Sequence, residues 1–447
     1  MDNVQGQDVI ITDSIISEDL MPKKSEDRKI GIWSYMAMWL GDGFNIGNIT
    51  LGSSLVVAGV ATMNLLQTAV AAGISIIIIS IIFALNDRFG YVTGSPYVMQ
   101  LRLAFGKNGA KYASLLRGIP AVVWYGFQSW TGALALNQIM IITIGFDNTA
   151  VCFIALQLLQ IVLTLNGFQS IKAVTSIISI VVMLCLIGVF ILLITNHQDA
   201  IVNNLVHQKG TWGLPFFGFI VAFLGNYTTI FESAADYSRE LVPNISNKKR
   251  CVLYFIPILL AYGITILTGA MLAAVTGISS PVNAMSVLFN NNIITVSVSI
   301  FIIFGVITTN LVANIIPPTY VLSSIFKTSY KKSVIIVGLL AILTCPWLLV
   351  QDSSSEGLAL FIKIYSIFLG PMTAIILLKY YLVDKQFVDL KHLYNDNEQP
   401  KYKWDAVISL VIGALFAMIQ IDLAWMVGFA VSWICYTIFN YKKIFNN

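Results

Sequence analysis

A series of apolar runs, each long enough to form a transmembrane helix, constrains this chain more than any other feature. A helix needs roughly 20 apolar residues to cross the hydrocarbon core of a bilayer. Only 11% of the residues are charged, against about 25% in soluble domains, so the surface must face lipid. The sequence therefore predicts an all-α integral membrane protein with about 12 transmembrane helices. The predicted spans are 31–59, 62–85, 112–139, 149–166, 171–195, 213–235, 251–276, 293–322, 333–350, 357–381, 404–421 and 423–440.

Basic residues concentrate in every second connection between these spans, and Lys209 is the one clear exception on the opposite side. Cytoplasmic loops carry an excess of Lys and Arg. We therefore expect a multi-pass protein of the cytoplasmic (inner) membrane with both termini in the cytoplasm. The positive side contains Lys23, Lys24, Arg28, Lys29, Arg88, Arg102, Lys107, Lys111, Lys172, Arg239, Lys248, Lys249, Arg250, Lys327, Lys331, Lys332, the 379–403 loop, Lys442 and Lys443.

Spans 1 and 6 both contain helix-weakening residues at their centres. Residues 39–47 read WLGDGFNIG, and Gly225 and Asn226 lie in the middle of span 6. Freed backbone groups are tolerated in a bilayer only where they line a cavity or site. Two breaks five spans apart are typical of an inverted repeat, although glycine in a membrane helix also permits close packing.

Span 3 places Trp124 and Gln128 one turn apart on one helix face. An indole can stack on a flat ring, and a carboxamide offers both a donor and an acceptor. Packing of the indole and a bond from Gln128 to a neighbouring helix explain the pair equally well.

Span 8 contains Gly305, Thr308 and Thr309, followed by Asn314. Hydroxyl and carbonyl oxygens suit a monovalent cation, although a helical threonine more often bonds its own backbone. Ionisable groups inside spans mark function by default; here they are Asp42, Glu232, Asp236 and Lys363. Asp42 lies in the span 1 break, and Lys363 could either reach the interface or pair with a carboxylate.

Several classes of protein are disfavoured. The chain has no phosphate-binding loop, zinc-protease motif or nucleophile elbow, so we expect no enzyme activity and no cofactor. The five cysteines form no metal-type pair, and the scattered basic residues predict no nucleic-acid partner. No span has a polar stripe from end to end, as a channel would need, and the tails are too short for the soluble domain of a typical sensor.

Several motifs together resemble the nucleobase–cation symporter-1 family, which includes sodium–hydantoin, cytosine, uracil and allantoin permeases. The resemblance covers roughly residues 30–400. The motifs are WLGDGFNIG at 39–47, GYVTGSPY at 90–97, RLAFG at 102–106, VWYGFQSW at 123–130, DYSR at 236–239, TTNLVAN at 308–314, YSIFLGP at 365–371 and KYYLV at 379–383.

The resemblance implies a leucine-transporter-type fold, with a 5+5 inverted repeat plus two C-terminal helices. The core would be 31–385, with repeats at 31–195 and 213–381, between a cytoplasmic tail at 1–30 and a loop at 386–403. The two additional helices would occupy 404–440, before a second cytoplasmic tail at 441–447.

The resemblance also implies site residues. The heterocycle would lie between Trp124 and Tyr227, where the hydantoin permease has a second tryptophan. The implied polar partners of the substrate are Asn45, Gln128, Thr229 and Asn314, with Asp42 beside them. The implied cation site comprises Gly41, Phe44, Gly305, Thr308 and Thr309, and its ion would be Na⁺ or H⁺.

The sequence thus favours a monomeric secondary transporter that imports a nucleobase or related cyclic ureide. The substrate would be of the uracil, cytosine/purine, allantoin or hydantoin type, in symport with Na⁺ or H⁺ by alternating access. A cation symporter of the same fold for an amino acid or amine is the alternative, and a channel or membrane sensor is a more remote one.

Overall fold

The computed structural model describes residues 18–44, 46–54, 56, 63–165, 168–278, 281–289, 291–348 and 354–445. These residues form α-helices, and their only β-type pairing is a single bridge between Ile30 and Leu241. The helices are α1 (Ile32–Gly43), α2 (Ile46–Ser54), α3 (Leu65–Thr93), α4 (Tyr97–Ile144), α5 (Thr149–Leu165), α6 (Phe168–Asn196), α7 (Gln198–Val202), α8 (Leu214–Glu232), α9 (Ala234–Ser238), α10 (Asn247–Ile258), α11 (Ile264–Thr276), α12 (Pro281–Phe289), α13 (Asn292–Thr309), α14 (Ile316–Phe326), α15 (Tyr330–Leu343), α16 (Ser354–Leu378), α17 (Leu390–Tyr394), α18 (Trp404–Ile419), α19 (Ala424–Phe439) and α20 (Tyr441–Phe445). Four π-helical segments interrupt or extend them, at Asn203–His207, Leu259–Gly263, Asn310–Ile315 and Lys379–Val383. Short 3₁₀ turns occur at Glu18–Leu20, Ser25–Asp27, Pro346–Leu348 and Ile421–Leu423.

Helix length and composition support the predicted membrane architecture. Among the described residues, five helical stretches are long and apolar enough to cross a bilayer, and two bent helix pairs raise this number to seven. Phe216–Glu232 and Trp404–Ile419 are shorter apolar helices. The all-α class is confirmed, while the number of about 12 spans stays a prediction.

The predicted break in span 1 lies between α1 and α2. Gly43 ends α1, and Phe44 adopts φ −85° and ψ 71°, which are not helical values. A Cβ at Gly43 would lie 2.5 Å from the Cβ of Ala261. The broken segment therefore rests directly on the π-helical segment Leu259–Gly263.

The break predicted at Gly225 and Asn226 in span 6 is wrong in position. Helix α8 continues through both residues to Glu232, and the interruption falls at Ser233, with φ −91° and ψ 25°. A Cβ at Gly225 would lie 2.6 Å from the Ser366 hydroxyl oxygen, so this glycine permits close packing of α16. Close packing between helices, which glycine permits in membranes, therefore accounts for a glycine at this position.

Helices α2 and α11 approach each other backbone to backbone. A Cβ at Gly52 would lie 2.1 Å from the carbonyl oxygen of Ile266, and a Cβ at Gly269 would lie 2.0 Å from that of Ile49. Small residues allow such contacts between membrane helices. The second half of the broken span is thereby held against α11.

Candidate functional site

The C-terminal end of α1 lies against α8 and α13, and the predicted site residues are distributed around it. Asn45 lies outside the described residues. Asp42 and Phe44 are completely buried, although they interrupt a helix in the middle of an apolar run. The last carbonyl groups of a helix have no intrahelical donor and carry partial negative charge, so this helix end can attract a cation.

Tyr227 contacts the broken span through its hydroxyl group. The hydroxyl donates a hydrogen bond to Oδ2 of Asp42 over 2.9 Å. The Tyr227 ring packs at 5.0 Å from the ring of Tyr262 and at 6.4 Å from that of Phe83. Its hydroxyl therefore holds the Asp42 carboxylate in place.

The two threonines of α13 direct their hydroxyl groups at the end of α1. The Thr308 hydroxyl oxygen lies 3.2 Å from the carbonyl oxygen of Gly41 and 3.0 Å from that of Gly305. The Thr309 hydroxyl oxygen lies 3.5 Å from the Gly41 carbonyl oxygen and 3.2 Å from that of Asp42. Each hydroxyl has one proton, so several of these oxygen pairs share no hydrogen. Such a group of oxygens is suited to a hard monovalent cation.

The predicted cation ligands differ in how they meet this oxygen cluster. Gly41, Gly305, Thr308 and Thr309 contribute to it directly. Phe44 meets the cluster differently, since its backbone N–H donates to the Leu40 carbonyl over 3.2 Å. The threonine hydroxyls contact the carbonyls of Gly41 and Asp42. The sequence assigned Asp42 to the substrate and gave no sign that its backbone carbonyl faces the Thr309 hydroxyl.

Trp124 and Gln128 lie on α4, and both are almost fully buried. The Trp124 ring lies 5.5 Å from Phe127 and 6.1 Å from Phe361. Within the described residues, Gln128 Oε1 is a buried atom without a hydrogen-bond partner. Trp124 Nε1 makes no hydrogen bond of good geometry, although the Tyr365 hydroxyl interacts with the indole. Buried polar groups are normally paired, so a donor and an acceptor one turn apart indicate a place for a polar ring. In the described part of the chain, Trp124 and Tyr227 make no direct ring contact.

Asn314 belongs to an amide network that sequence reasoning identified only in part. Asn314 Nδ2 donates to Asn310 Oδ1 over 2.9 Å, and Asn310 Nδ2 donates to Gln160 Oε1 over 2.8 Å. Asn310 Nδ2 also lies 3.1 Å from the hydroxyl of Ser129 on α4. Gln160, an amide inside an apolar run, was the signal for this network. The bonds fix the π-helical segment Asn310–Ile315 against α4 and α5. Thr229, the remaining predicted residue, is buried on α8.

The sequence profile of the permeases for cytosine/purines, uracil, thiamine and allantoin matches residues 22–441. The chain belongs to this family. The hydantoin permease of Microbacterium maritypicum is 24% identical to it over 93% of this permease and 86% of the relative. The allantoin permease of Bacillus subtilis is 24% identical over 94% and 92% of the two chains.

A solved structure has the same fold. It is Mhp1, a nucleobase-cation-symport-1 family transporter, in a closed conformation with bromovinylhydantoin bound. It superposes with a TM-score of 0.84 at 21% identity, over 95% of this permease and 94% of Mhp1. The protein is thus a multi-pass membrane transporter and not an enzyme, as the sequence predicted.

A buried charged cluster lies around the interruption at Ser233 in the permease. Arg117 Nη2 donates to the Ser233 hydroxyl over 3.2 Å and to the Ala313 carbonyl over 3.0 Å. The carboxylate of Glu232 accepts hydrogen bonds from Thr373 and, over 3.3 Å, from the Tyr97 hydroxyl. These bonds join α4, α16 and the π-helical segment Asn310–Ile315 to the end of α8. They also give Glu232 partners that the sequence did not reveal.

Lys363, for which the sequence left two roles open, pairs with a carboxylate. Its Nζ lies 2.6 Å from Oδ1 of Asp422, and both side chains are exposed. An exposed pair of this kind contributes little to stability. Of the two alternatives for Lys363, pairing with a carboxylate is the one observed.

Proposed function

We propose that the permease imports a nucleobase or related cyclic ureide in symport with Na⁺ by alternating access. The observation that carries this proposal is the pair Trp124 Nε1 and Gln128 Oε1, a buried donor and acceptor one turn apart. In the described residues the acceptor has no partner, and the donor makes no hydrogen bond of good geometry beyond its interaction with the Tyr365 hydroxyl. A planar amide ring offers complementary groups along its edge and a face for the indole. A ring with the wrong edge would leave these groups unpaired, which costs more than a small misfit in size.

The remaining substrate contacts would come from other segments of the chain. Asn314 and Thr229 would supply further polar contacts, as would Asn45. Tyr227 would contribute its ring and would hold Asp42 in position. Uracil, cytosine, purines, allantoin and hydantoin all present such an edge, and the allantoin and hydantoin classes are the first to test, since relatives bear those names.

Na⁺ would bind where the hydroxyls of Thr308 and Thr309 approach the carbonyls of Gly41, Asp42 and Gly305, beside Phe44. The ion would connect the end of α1 to α13. Because Asp42 contributes to this cluster and also bonds Tyr227, ion binding would order the residues that surround the substrate. Coupling of this kind is a shared free energy between two sites.

A proton is the alternative coupling ion, and a specific observation favours it. Asp42 is a fully buried carboxylate hydrogen-bonded to a phenol, and carboxylates in membrane proteins serve as proton carriers.

The charge of the basic loops supports insertion in the cytoplasmic membrane with both termini inside. The permease would act as a monomer.

Uptake into proteoliposomes tests the proposal. Radiolabelled allantoin, hydantoin, uracil, cytosine and adenine would be offered with an inward Na⁺ gradient, an inward proton gradient or neither. Uptake of one heterocycle that depends on Na⁺ alone is expected. Dependence on the proton gradient alone would select the alternative ion. Uptake of amino acids or amines and of none of the heterocycles would overturn the substrate class.

A further inference from the structure

A basic cavity lies beside the N-terminal part of α4, and none of its lining residues belongs to the proposed substrate or cation sites. Its volume is about 210 Å³, and its lining includes Arg102, Lys107, Lys111 and Lys327. Asp396 is the only carboxylate in the lining formed by the described residues. A water molecule occupies about 30 Å³ in the liquid, so the cavity has room for a tetrahedral oxyanion.

Asp396 already engages two of the four cations, one through its carboxylate and one through its backbone carbonyl. Arg102 Nη2 lies 2.6 Å from Oδ1 of Asp396, and Lys107 Nζ donates to the Asp396 backbone carbonyl over 2.7 Å. Within the described part of the chain, Lys111 and Lys327 make no side-chain hydrogen bond or ion pair. Their charges are therefore left to act on the cavity.

The backbone at this place does not provide the anion site. Gly106 has φ 81° and separates the first turns of α4 from the rest. The N–H groups of Lys107 and Asn108, which begin the second part, donate to the carbonyls of Pro400 and Lys401 over 2.9 Å each. An anion would thus be held by side chains, among them the buried Arg102, whose Nε has no hydrogen-bond partner in the described residues.

We propose that this cavity binds a phosphate group, carried by the headgroup of an anionic phospholipid or by free phosphate. Arginine offers planar, paired donors to phosphate oxygens, and lysine adds charge without a fixed geometry. Basic pockets between membrane helices on the cytoplasmic side are suited to anionic headgroups. The apolar residues Leu20, Val98 and Met99 also line the cavity, which suits a lipid. The site is independent of the transported substrate.

Lipid binding to the full-length permease in nanodiscs tests this proposal. Fluorescent phosphatidylglycerol would be titrated into phosphatidylcholine nanodiscs containing the wild type or the Lys111→Gln/Lys327→Gln variant. A basic residue near an anionic surface contributes about five-fold to affinity, so the double variant should lose roughly 25-fold. The matched control is Lys331→Gln/Lys332→Gln, which removes equal charge at exposed positions outside this lining and should change affinity little.

Free phosphate is tested separately through thermal stability in phosphatidylcholine nanodiscs. If inorganic phosphate but not chloride at equal ionic strength stabilises the wild type and not the Lys111/Lys327 variant, the cavity binds phosphate from either source. A response to phosphatidylglycerol alone identifies the headgroup as the source. Equal losses in the two double variants, or no response to either probe, would overturn the proposal. The Lys111→Arg/Lys327→Arg variant should retain binding.

Discussion

The hydroxyl of Tyr227 donates a hydrogen bond to the buried carboxylate of Asp42 over 2.9 Å, and this bond joins α8 to the end of α1. The backbone carbonyl of the same aspartate lies 3.2 Å from the Thr309 hydroxyl. One residue thus contacts both the proposed substrate helix and the proposed cation helix. Coupling between the two binding events would pass through this position.

A double-mutant cycle on Tyr227→Phe and Asp42→Asn should reveal strong coupling. Hydrogen bonds to charged groups contribute about 1.5–3 kcal/mol, so the combined variant should lose less than the sum of the single losses. Unfolding of the detergent-solubilised protein, at fixed Na⁺, measures each value. Additive effects would mean that the bond contributes nothing of its own.

Trp124→Ala should weaken heterocycle binding strongly while the protein still inserts. Loss of the indole face should weaken binding by at least about tenfold, or roughly 1.4 kcal/mol. The matched control is Trp130→Ala on the same helix, whose ring contacts Phe153 and Trp347 instead. Scintillation-proximity binding compares the two, and equal affinities in wild type and Trp124→Ala would return this residue to a packing role.

Thr309→Ala should raise the Na⁺ concentration needed for half-maximal uptake more than it changes substrate affinity at saturating Na⁺. The substitution removes one of the proposed oxygen ligands, and Thr309→Ser should restore most of the response. Thr228→Ala is the control, because the Thr228 hydroxyl bonds the Leu224 carbonyl of its own helix over 2.8 Å. A uniform loss at every Na⁺ concentration would argue against a role in ion binding.

Gly52→Ala should destabilise the permease, whereas Gly73→Ala should not. A Cβ at Gly52 would lie 2.1 Å from the Ile266 carbonyl oxygen, while one at Gly73 would meet nothing within 4 Å. Overpacking typically costs about 1–3 kcal/mol, and alanine in an open helical position gains about 0.5–1 kcal/mol over glycine. Melting temperatures in detergent should therefore move in opposite directions.

The free energy of unfolding should increase at alkaline pH because of Lys403, which immediately precedes α18. Burial, together with the neighbouring Lys379 ammonium, lowers the pKa of Lys403 from 10.5 to about 8. Between these two values the unfolded chain binds more protons than the folded one, so stability rises with pH across the window and is flat below it. Lys403→Met should remove this rise, and the exposed control Lys391→Met should retain it. Thermal unfolding from pH 7 to pH 10.5 decides the matter, and identical profiles for all three proteins would refute it.

The sequence by itself determined the class of protein, because apolar runs of bilayer length and sparse charge permit few alternatives. Its motifs also predicted the family that the profile match then showed. The break after Gly43 was predictable as well, since glycine, aspartate and asparagine together are poorly suited to a continuous apolar helix.

The tertiary structure decided which polar residues meet. Gly225 appeared to break α8, but whether a glycine ends a helix or admits a neighbour depends on what packs against it, and here that is Ser366 on α16. The Tyr227–Asp42 bond and the network of Asn310, Gln160 and Ser129 join residues more than 100 positions apart, as does the basic cavity. Sequence spacing reports neighbours on one helix, whereas these contacts arise from the packing of several helices.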